Sequence, residues 1–282
     1  MFKIGLSTCF KKIDETLFAQ YQKNKIDAME ISTEYQNYAS LNYKEIRSLA
    51  NQYDITLWSY HLPFQKMDEV DISNKELQKH TIESWSELIK KGAEIGIDKF
   101  VAHPSTEPIE KNERKDKLEY SKEGLAKLAD VAKEAGAVIA VENLPRTCLG
   151  NCHEEIKELI SYHDDLKVCF DTNHLLFEDA VDFIHQLSDK IITTHVSDFD
   201  FINERHWLPG EGKLDWQKLI STLKEVNYQG IWLYELAFVL PKTLYREREL
   251  NCSDIRKNAD ELFQGKELTI LSTPKENLGM WE

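Results

Sequence analysis

Three short apolar runs in the middle of the chain each end in a residue that can bind a metal ion. The runs occupy residues 138–142, 168–171 and 191–195, and their last residues are Glu142, Asp171 and His195. A segment long enough for a helix separates each run from the next. Hydrophobic strands that alternate with helices are typical of a parallel sheet covered on both faces. In such sheets ligands bind at the carboxyl ends of the strands, so we expect these three residues to meet at one site.

The same strand-then-helix unit recurs along the whole chain. Strands are predicted at residues 3–8, 26–31, 55–60, 99–102, 138–141, 168–170, 191–194 and 230–234. Helices are predicted at residues 13–23, 43–53, 75–95, 118–135, 153–162, 175–187, 215–226 with Asp215 as N-cap, and from 236 to about 263. Eight such units close naturally into a barrel. We therefore predict a single (β/α)8 TIM barrel at residues 1–265, followed by a C-terminal tail at 266–282.

An open, doubly wound sheet is the alternative architecture. A dinucleotide-binding sheet of that kind carries a glycine-rich turn after its first strand, whereas residues 8–11 here read TCFK. The 282 residues, of which 41% are hydrophobic and 30% charged, also suit one large globular barrel. The tail fits neither kind of repeat and is expected to be a solvated or packed arm. The alternative is an oligomer contact, which would make the protein a homo-oligomer.

The composition restricts the partners of the protein. A formal net charge of −14 disfavours nonspecific attraction to the phosphates of nucleic acid. No basic-then-apolar leader opens the chain, and no apolar run approaches the ~20 residues needed to cross a bilayer. We therefore predict a cytoplasmic protein without a membrane segment. The 5 cysteines are odd in number and scattered, which indicates free thiols in a reducing compartment.

Six successive predicted strands, the third to the eighth, end in polar residues. These residues are His61, His103, Glu142, Asp171, His195 and Glu235. Because the strand ends of a closed barrel surround one mouth, three carboxylates and three imidazoles would share a pocket, which is costly without a cation. The ligands that we choose for one Mn, Co, Mg or Zn ion are Glu142, Asp171, His195 and Glu235. The alternative is a salt-bridge network without metal, but only Arg146 and Arg205 lie near these loops.

Two further stretches flank this predicted metal centre. His174 lies three residues after the aspartate at the end of the sixth strand, and the loop at 204–212 contains two glycines. The glycines permit a tight turn that would bring Arg205 and His206 into the pocket. An ordinary turn before the seventh helix explains the glycines equally well.

Six sequence motifs carry a resemblance to a known family. They are SYHLPF at 59–64, VAHP at 101–104, VENLP at 141–145, DTNH at 171–174, HVSD at 195–198 and RHWLPGEG at 205–212. Together they resemble the xylose-isomerase-like TIM barrel superfamily, and more narrowly its sugar phosphate isomerase/epimerase branch. The resemblance extends from residue 1 to about 240. The joint occurrence of the motifs is specific for the superfamily but not for a substrate.

The resemblance implies a metal-dependent enzyme with one ion, in which Glu142 and Glu235 are both metal ligands and the acid and base of the reaction. The residues predicted to contact the substrate are His61, His103, His174, Arg205 and His206. The predicted reaction is sugar isomerisation or epimerisation, in which a proton moves next to a carbonyl through an enediolate that the cation stabilises. The expected substrate is an unphosphorylated sugar or cyclic polyol, because no basic loop after strands seven or eight indicates a phosphate site.

Two other functions stay open. The same superfamily contains apurinic-site endonucleases that use three zinc ions. Their additional ligand positions are matched here by His61, His103, His174, Glu204 and His206, with Glu204 in place of an aspartate. Against this function, acidic residues such as Asp198 and Asp200 in the loops after the strands would repel a phosphate backbone. The third hypothesis is a sugar-binding barrel without catalysis.

Overall fold

Eight parallel strands form the centre of the protein. The computed structural model describes residues 2–9, 11–64 and 68–279. The strands are β1 Ile4–Ser7, β2 Ala28–Ile31, β3 Thr56–His61, β4 Lys99–Ala102, β5 Val138–Glu142, β6 Lys167–Asp171, β7 Ile191–His195 and β8 Trp232–Tyr234. Most residues of each strand are buried, as expected for strands covered on both faces.

Helices cover the outside of these strands. They are α1 Glu15–Lys23, α2 Tyr43–Tyr53, α3 Gln78–Glu94, α4 Arg114–Glu134, α5 His153–Ile160, α6 Ala180–Leu187, α7 Trp216–Glu225 and α8 Cys252–Phe263. The predicted N-cap is confirmed, because the Asp215 side chain accepts a hydrogen bond from the backbone N–H of Lys218 at 3.0 Å. Within the described ranges, none of the helices combines the length and apolar character needed to span a membrane.

The strand order makes the sheet a nearly closed barrel. The neighbours run β7–β6–β5–β4–β3–β2–β1–β8. Between β7 and β8, Val196 forms a bridge with Tyr234 and donates its N–H to the carbonyl of Leu233 at 2.8 Å. The single TIM barrel predicted from the sequence is therefore confirmed, and the open doubly wound sheet is excluded. All eight strands bring their carboxyl ends to one mouth.

Alternation along each strand separates two packed layers. In β5, Ile139 and Val141 belong to the large core between sheet and helices, whereas Ala140 packs inside the barrel with Val101 and Cys169. Since side chains two positions apart share a face, the residue at the end of β5 lies on the inner face. The last strand residues are thus directed into the mouth rather than toward the helices.

The largest difference from the sequence-based expectation lies after β8. The pattern predicts a helix from 236 to about 263, but the structure contains a loop, the strand β9 Leu244–Arg246 and only then α8. Pro241 cannot continue a helix. Asn251 then starts a new one, because its side chain accepts hydrogen bonds from two backbone N–H groups of the first turn of α8. The predicted continuous eighth helix is therefore wrong in its first half.

The predicted tail packs against this inserted segment. The strand β10, Ser272–Pro274, pairs antiparallel with β9. Close to the end of the described chain, the carbonyl of Gly279 accepts a hydrogen bond from the Arg205 guanidinium at 2.8 Å. Residues 280–282 of the predicted tail lie outside the described residues. The described part of the tail thus contacts both β9 and the loop after β7.

Candidate active site

Polar side chains converge on one cavity at the mouth of the barrel. The cavity has a volume of about 300 Å³, and its walls include His61, His103, Glu142, His174, Glu204, His206 and Glu235. Asp171 and His195 are fully buried; Asp171 lies 3.6 Å from His174 and His195 lies 3.4 Å from Glu235, and both of these neighbours belong to the walls. The structure therefore brings together all four predicted metal ligands and four of the five predicted substrate contacts.

Small side chains make room for these groups inside the barrel. On each strand, the residue two positions before such a polar residue lies on the same face of the sheet. These earlier residues are Ala28 before Glu30, Ser59 before His61, Ala140 before Glu142, Cys169 before Asp171 and Thr193 before His195. All five are completely buried. The barrel interior thus provides a closed floor beneath the cluster of charged side chains.

Glu142 is the centre of the site. Its Oε2 atom lies 3.1 Å from Nε2 of both His61 and His103, and its Oε1 atom lies 3.0 Å from Nδ1 of His195. Burial alone would raise the pKa of Glu142, but the imidazoles of His195 and His103 hold that pKa well below its ordinary value. Glu142 is therefore a carboxylate, which is the form required of a metal ligand or a general base.

His195 connects the four predicted ligands. Its Nδ1 atom lies 3.0 Å from Glu142 Oε1, 3.4 Å from Glu235 Oε2 and 3.8 Å from Asp171 Oδ2. One ligand atom from each of the four residues lies within 4.8 Å of the others. Three carboxylates and one imidazole form a donor set that suits Mn, Co, Mg or Zn.

Asp171 provides the observation that tests this fit. Its Oδ2 atom is buried and has no hydrogen-bond partner within the described part of the chain. Burial raises the pKa of Asp171 well above its ordinary value, against the effect of His174 and with a contribution from Glu142. An unpartnered buried oxygen is costly, and a cation held between the four ligands would satisfy it. The residues therefore fit a divalent metal ion.

Glu30 is a site residue that the sequence analysis does not select. It is completely buried at the mouth end of β2, and its Oε2 atom lies 3.0 Å from Nε2 of His195 and 2.8 Å from Oγ of Ser59. Burial would lower the pKa of His195, but Cys169 and the surrounding carboxylates raise it well above the ordinary value. The available signal was a glutamate inside the apolar run 26–31, because a charged residue is rarely buried without a partner.

His174 forms a second polar cluster with the loop after β7. Its Nδ1 atom lies 2.8 Å from the carbonyl oxygen of Asn143, and its Nε2 atom lies 3.0 Å from Oε2 of Glu204. Burial opposes protonation, yet Asp171 and Glu204 raise the pKa of His174 to about 10. The ring of His206 stands edge-on at 6.0 Å. His174, Glu204 and His206 also offer three ligand atoms within 4.8 Å of one another.

His61 and His103 form another wall of the cavity together with Phe64. The Phe64 ring stacks on His103 with centroids 4.4 Å apart and lies 4.7 Å from the ring of His61. Burial lowers the pKa of His103, so this imidazole is neutral and able to act as a ligand. His61, His103 and Glu142 form a further group of ligand atoms within 4.8 Å.

The loop after β7 folds around the carboxylate of Asp198. This side chain accepts hydrogen bonds from the N–H groups of Gly210 at 2.7 Å and Leu214 at 3.2 Å, and from the indole of Trp216 at 2.8 Å. A side chain on Gly212 would collide with Asp198 and with the backbone carbonyl oxygen of Phe199. Asp198 is completely buried. The Asp198 carboxylate therefore stabilises the loop by accepting these hydrogen bonds.

Arg205 is the predicted substrate contact that the structure does not bring to the cavity. Its Nε atom donates to Asp200 at 2.9 Å and its Nη2 atom to the carbonyl of Gly279 at 2.8 Å. The next residue, His206, has a left-handed φ of 50° and lines the cavity. Arg205 thus joins the loop to the tail, and its predicted role needs correction. The arginine that lines the cavity is Arg146.

Comparison with known proteins agrees with this architecture. Residues 18–248 match the family described as xylose isomerase-like TIM barrel. An uncharacterized protein of Methanocaldococcus jannaschii is 26% identical over 242 residues, which cover 81% of this chain and 82% of that protein. The structure of a D-tagatose 3-epimerase-like protein superposes with a TM-score of 0.79 at 21% identity, covering 93% of this chain and 97% of the other. The 3-keto-D-glucoside 4-epimerase from E. coli superposes with a TM-score of 0.75 at 19% identity, with coverages of 94% and 100%.

Proposed function

The chain belongs to the family of xylose isomerase-like TIM barrels, and from this membership we propose that it is a divalent-metal-dependent isomerase or epimerase of small sugars or cyclic polyols. The observation that carries the proposal is the placement of Glu142 and Glu235. Their carboxylate oxygens lie 3.0 Å and 3.4 Å from the same Nδ1 atom of His195, although Glu142 ends β5 and Glu235 follows β8. Two carboxylates from different parts of the mouth are therefore close enough to act on one small substrate.

The residues that would hold the metal ion are Glu142, Asp171, His195 and Glu235. A bound divalent ion supplies stabilisation for the negative charge that develops when a proton leaves a carbon next to a carbonyl. Glu30 is not one of these four residues, but its Oε2 atom lies 3.0 Å from Nε2 of His195, on the side of the ring away from the other three ligands. Such contacts fix the orientation of ligand side chains.

One glutamate removes a proton from the substrate and the other returns one. Glu142 is available as the general base, since its imidazole neighbours keep it in the carboxylate form that accepts a proton. The side chain of Glu235 is 12% exposed, against 1% for Glu142, so Glu235 is the more accessible of the two from the cavity. Return of a proton to the opposite face of the same carbon gives epimerisation, and return to the adjacent carbon gives isomerisation.

The cavity favours a small uncharged polyol. Its volume of about 300 Å³ is at the small end of ligand sites and suits one monosaccharide. The acidic residues and the arginine in its wall are Glu107, Glu142, Arg146, Glu204 and Glu235. Because Arg146 is already bound to Glu107 and Glu204, its guanidinium is committed to carboxylates rather than to a phosphate, which disfavours a phosphorylated sugar. Phe64 offers an apolar face to the C–H groups of a sugar ring.

Deuterium exchange from solvent tests this proposal. Chelator-treated protein is restored with Mn²⁺ and incubated in D₂O with ketoses, inososes and their phosphates, and mass spectrometry measures deuterium in the recovered sugar. We expect exchange into an unphosphorylated member of the panel only after metal restoration. Glu142→Gln should lower the rate by about 10²-fold or more, whereas Glu154→Gln, at an exposed position, should not. A sugar that binds without exchange would contradict the proposal and support the non-catalytic sugar-binding barrel.

A zinc-dependent apurinic-site endonuclease is the second candidate function. The observation in its favour is the presence of two further ligand groups, which are His61 with His103 and Glu142, and His174 with Glu204 and His206. Together with the group of Glu142, Asp171, His195 and Glu235, these two groups would hold three ions. Elemental analysis of the purified protein distinguishes the candidates: one ion per chain supports sugar chemistry, whereas three ions together with cleavage of abasic DNA support the endonuclease.

A further inference from the structure

An arginine at the cavity wall ties together the loops after three strands. We propose that Arg146 is a positioning residue that holds the carboxylate of Glu204 and, through it, sets the imidazole of His174 beside the substrate. This inference rests on the proposed sugar reaction, in which the imidazole of His174 forms part of the wall of the substrate cavity. Arg146 acts through Glu204 and not through contact with the reacting atoms.

The guanidinium of Arg146 uses all three of its nitrogen atoms. Nε lies 2.9 Å and 3.0 Å from the two carboxylate oxygens of Glu107, and Nη1 lies 2.6 Å from Oδ1 of Asn203. Nη2 contacts Glu107 as well and lies 2.8 Å from Oε1 of Glu204. Glu107 lies in the loop after β4, whereas Asn203 and Glu204 lie in the loop after β7. The side chain of Arg146 is only 9% exposed, so water competes little with these hydrogen bonds.

Glu204 passes this constraint on to His174. While Oε1 of Glu204 binds Arg146, its Oε2 atom lies 3.0 Å from Nε2 of His174. On the other side of the ring, Nδ1 lies 2.8 Å from the carbonyl oxygen of Asn143. Fixed oxygens at both nitrogens give the imidazole one orientation. Because the Glu204 side chain is 30% exposed, loss of Arg146 would allow it to turn toward solvent and release His174.

The backbone at position 146 allows a clean substitution. Arg146 has a left-handed φ of 52°, which glycine adopts more easily than any residue with a side chain. The carbonyl of Arg146 accepts a hydrogen bond from Asn151 at 2.8 Å, and this contact does not depend on the side chain. What requires arginine is the planar fork that binds carboxylates on two sides. Arg146→Gly therefore removes the fork, keeps the turn and leaves space for a free guanidinium ion.

Arg114, the first residue of α4, provides a matched control because it binds the same loop from a neighbouring element. It donates from Nη1 to the carbonyl of Thr147 at 2.8 Å and from Nη2 to the carbonyl of Cys148 at 2.9 Å, and it pairs with Glu155. Arg114→Ala thus removes a guanidinium that anchors the loop after β5 without removing the partner of Glu204. Comparison of the two variants separates the positioning of Glu204 from general anchoring of the loop.

Steady-state kinetics on the panel sugar with the highest wild-type turnover give the first test. Arg146→Gly should lower kcat at least about tenfold while KM changes less than about threefold. Arg146→Lys should not restore kcat, whereas added guanidinium chloride should restore part of it in Arg146→Gly alone. Arg114→Ala should keep kcat within about twofold of wild type. Unchanged kcat in Arg146→Gly, a raised KM with unchanged kcat, or an equal loss in Arg114→Ala would each overturn the proposal.

Histidine side-chain NMR tests the same inference without turnover. In Mg²⁺-restored protein with isotope-labelled histidine, the Nε2–H proton of His174 should exchange slowly with solvent, and the His174→Gln variant assigns its resonance. We expect this resonance in wild type and Arg114→Ala but not in Arg146→Gly. Its persistence in Arg146→Gly would overturn the positioning role even if the protein turned over no sugar. Failure of the proposed reaction and failure of this inference are therefore distinguishable.

Discussion

Glu30 and Glu142 lie on either side of His195, and both ring nitrogens of this imidazole face a carboxylate oxygen at 3.0 Å. The contact with Glu30 keeps a proton on Nε2 and leaves Nδ1 directed toward the other three predicted ligands. A buried glutamate outside the cavity wall therefore determines which nitrogen of His195 can serve as a ligand.

Glu30→Gln should weaken metal binding by about 10- to 100-fold. The amide keeps the size of the side chain but is a poorer acceptor for the Nε2–H group of His195, so the ring loses its fixed orientation. Competition with a fluorescent chelator measures the Mn²⁺ dissociation constant. Glu34→Gln, at an exposed position shortly after the same strand, is the control. Equal affinities in wild type and Glu30→Gln would show that Glu30 only fills space.

The charge on His174 predicts how stability depends on pH. The pKa of His174 is raised to about 10 in the folded protein, against about 6.5 for an unfolded histidine. Its contribution to stability is thus fully present below about pH 6.5 and is lost as the pH rises toward 10. Calorimetry on chelator-treated protein should show a larger fall in Tm between about pH 6.5 and 9.5 for wild type than for His174→Gln. An identical fall in both proteins would exclude a charged His174.

Backbone regularity explains which site residues could be predicted from the sequence. Glu142 and His195 end strands, and the alternation of a strand fixes the direction of its side chains. Arg205 lies in a loop, where its direction depends on Asp200 and on Gly279 at the far end of the chain. No local pattern encodes such a contact, so the sequence gives no reason to place Arg205 outside the cavity.

At the scale of elements, the loop after β7 and the segment after β8 support each other. The indole of Trp207 donates to Thr243 at 3.0 Å, and Arg246 in β9 pairs with Glu211 at 2.8 Å between side chains that are at most 2% exposed. The region between β8 and α8 reads as helix from its local pattern. Long-range contacts of this kind override local propensity, which is why β9 and its pairing with β10 could not be predicted.

Gly212→Ala should disturb the loop that carries Glu204 and His206. The added methyl group would collide with Asp198 and with the carbonyl oxygen of the residue after it, so the loop must shift. We expect kcat/KM for the panel sugar to fall at least about tenfold. In Gly136→Ala, by contrast, the methyl group meets no atom within 4 Å but the backbone φ is +73°.

Gly136→Ala is therefore the control for backbone strain without crowding. It should cost about 1 kcal/mol of stability and leave kcat/KM within about twofold. Thermal unfolding and steady-state kinetics on both variants provide the comparison. If Gly212→Ala retained full activity, the exact course of the loop would not matter for the site.

At the scale of the whole molecule, the fold was predictable because every βα unit repeats a short buried strand and an amphipathic helix. The strand order then follows the order of the chain, and only β8 must return to β1. This closure brings together residues that lie far apart in the sequence. The four predicted metal ligands come from β5, β6, β7 and the end of β8, so an ion at this site would link half of the barrel.

Metal binding should therefore raise the stability of the whole barrel. At a free ion concentration of about 100 times the dissociation constant, binding adds about 2.7 kcal/mol, which raises Tm by about 5 °C for a chain of this size. Calorimetry of chelator-treated protein titrated with Mn²⁺ measures the shift. Asp171→Asn should abolish the shift, because the amide removes one carboxylate from the proposed ligand set. A wild-type Tm independent of metal would instead favour a buried salt-bridge network, in which His195 and His174 alone balance the carboxylates.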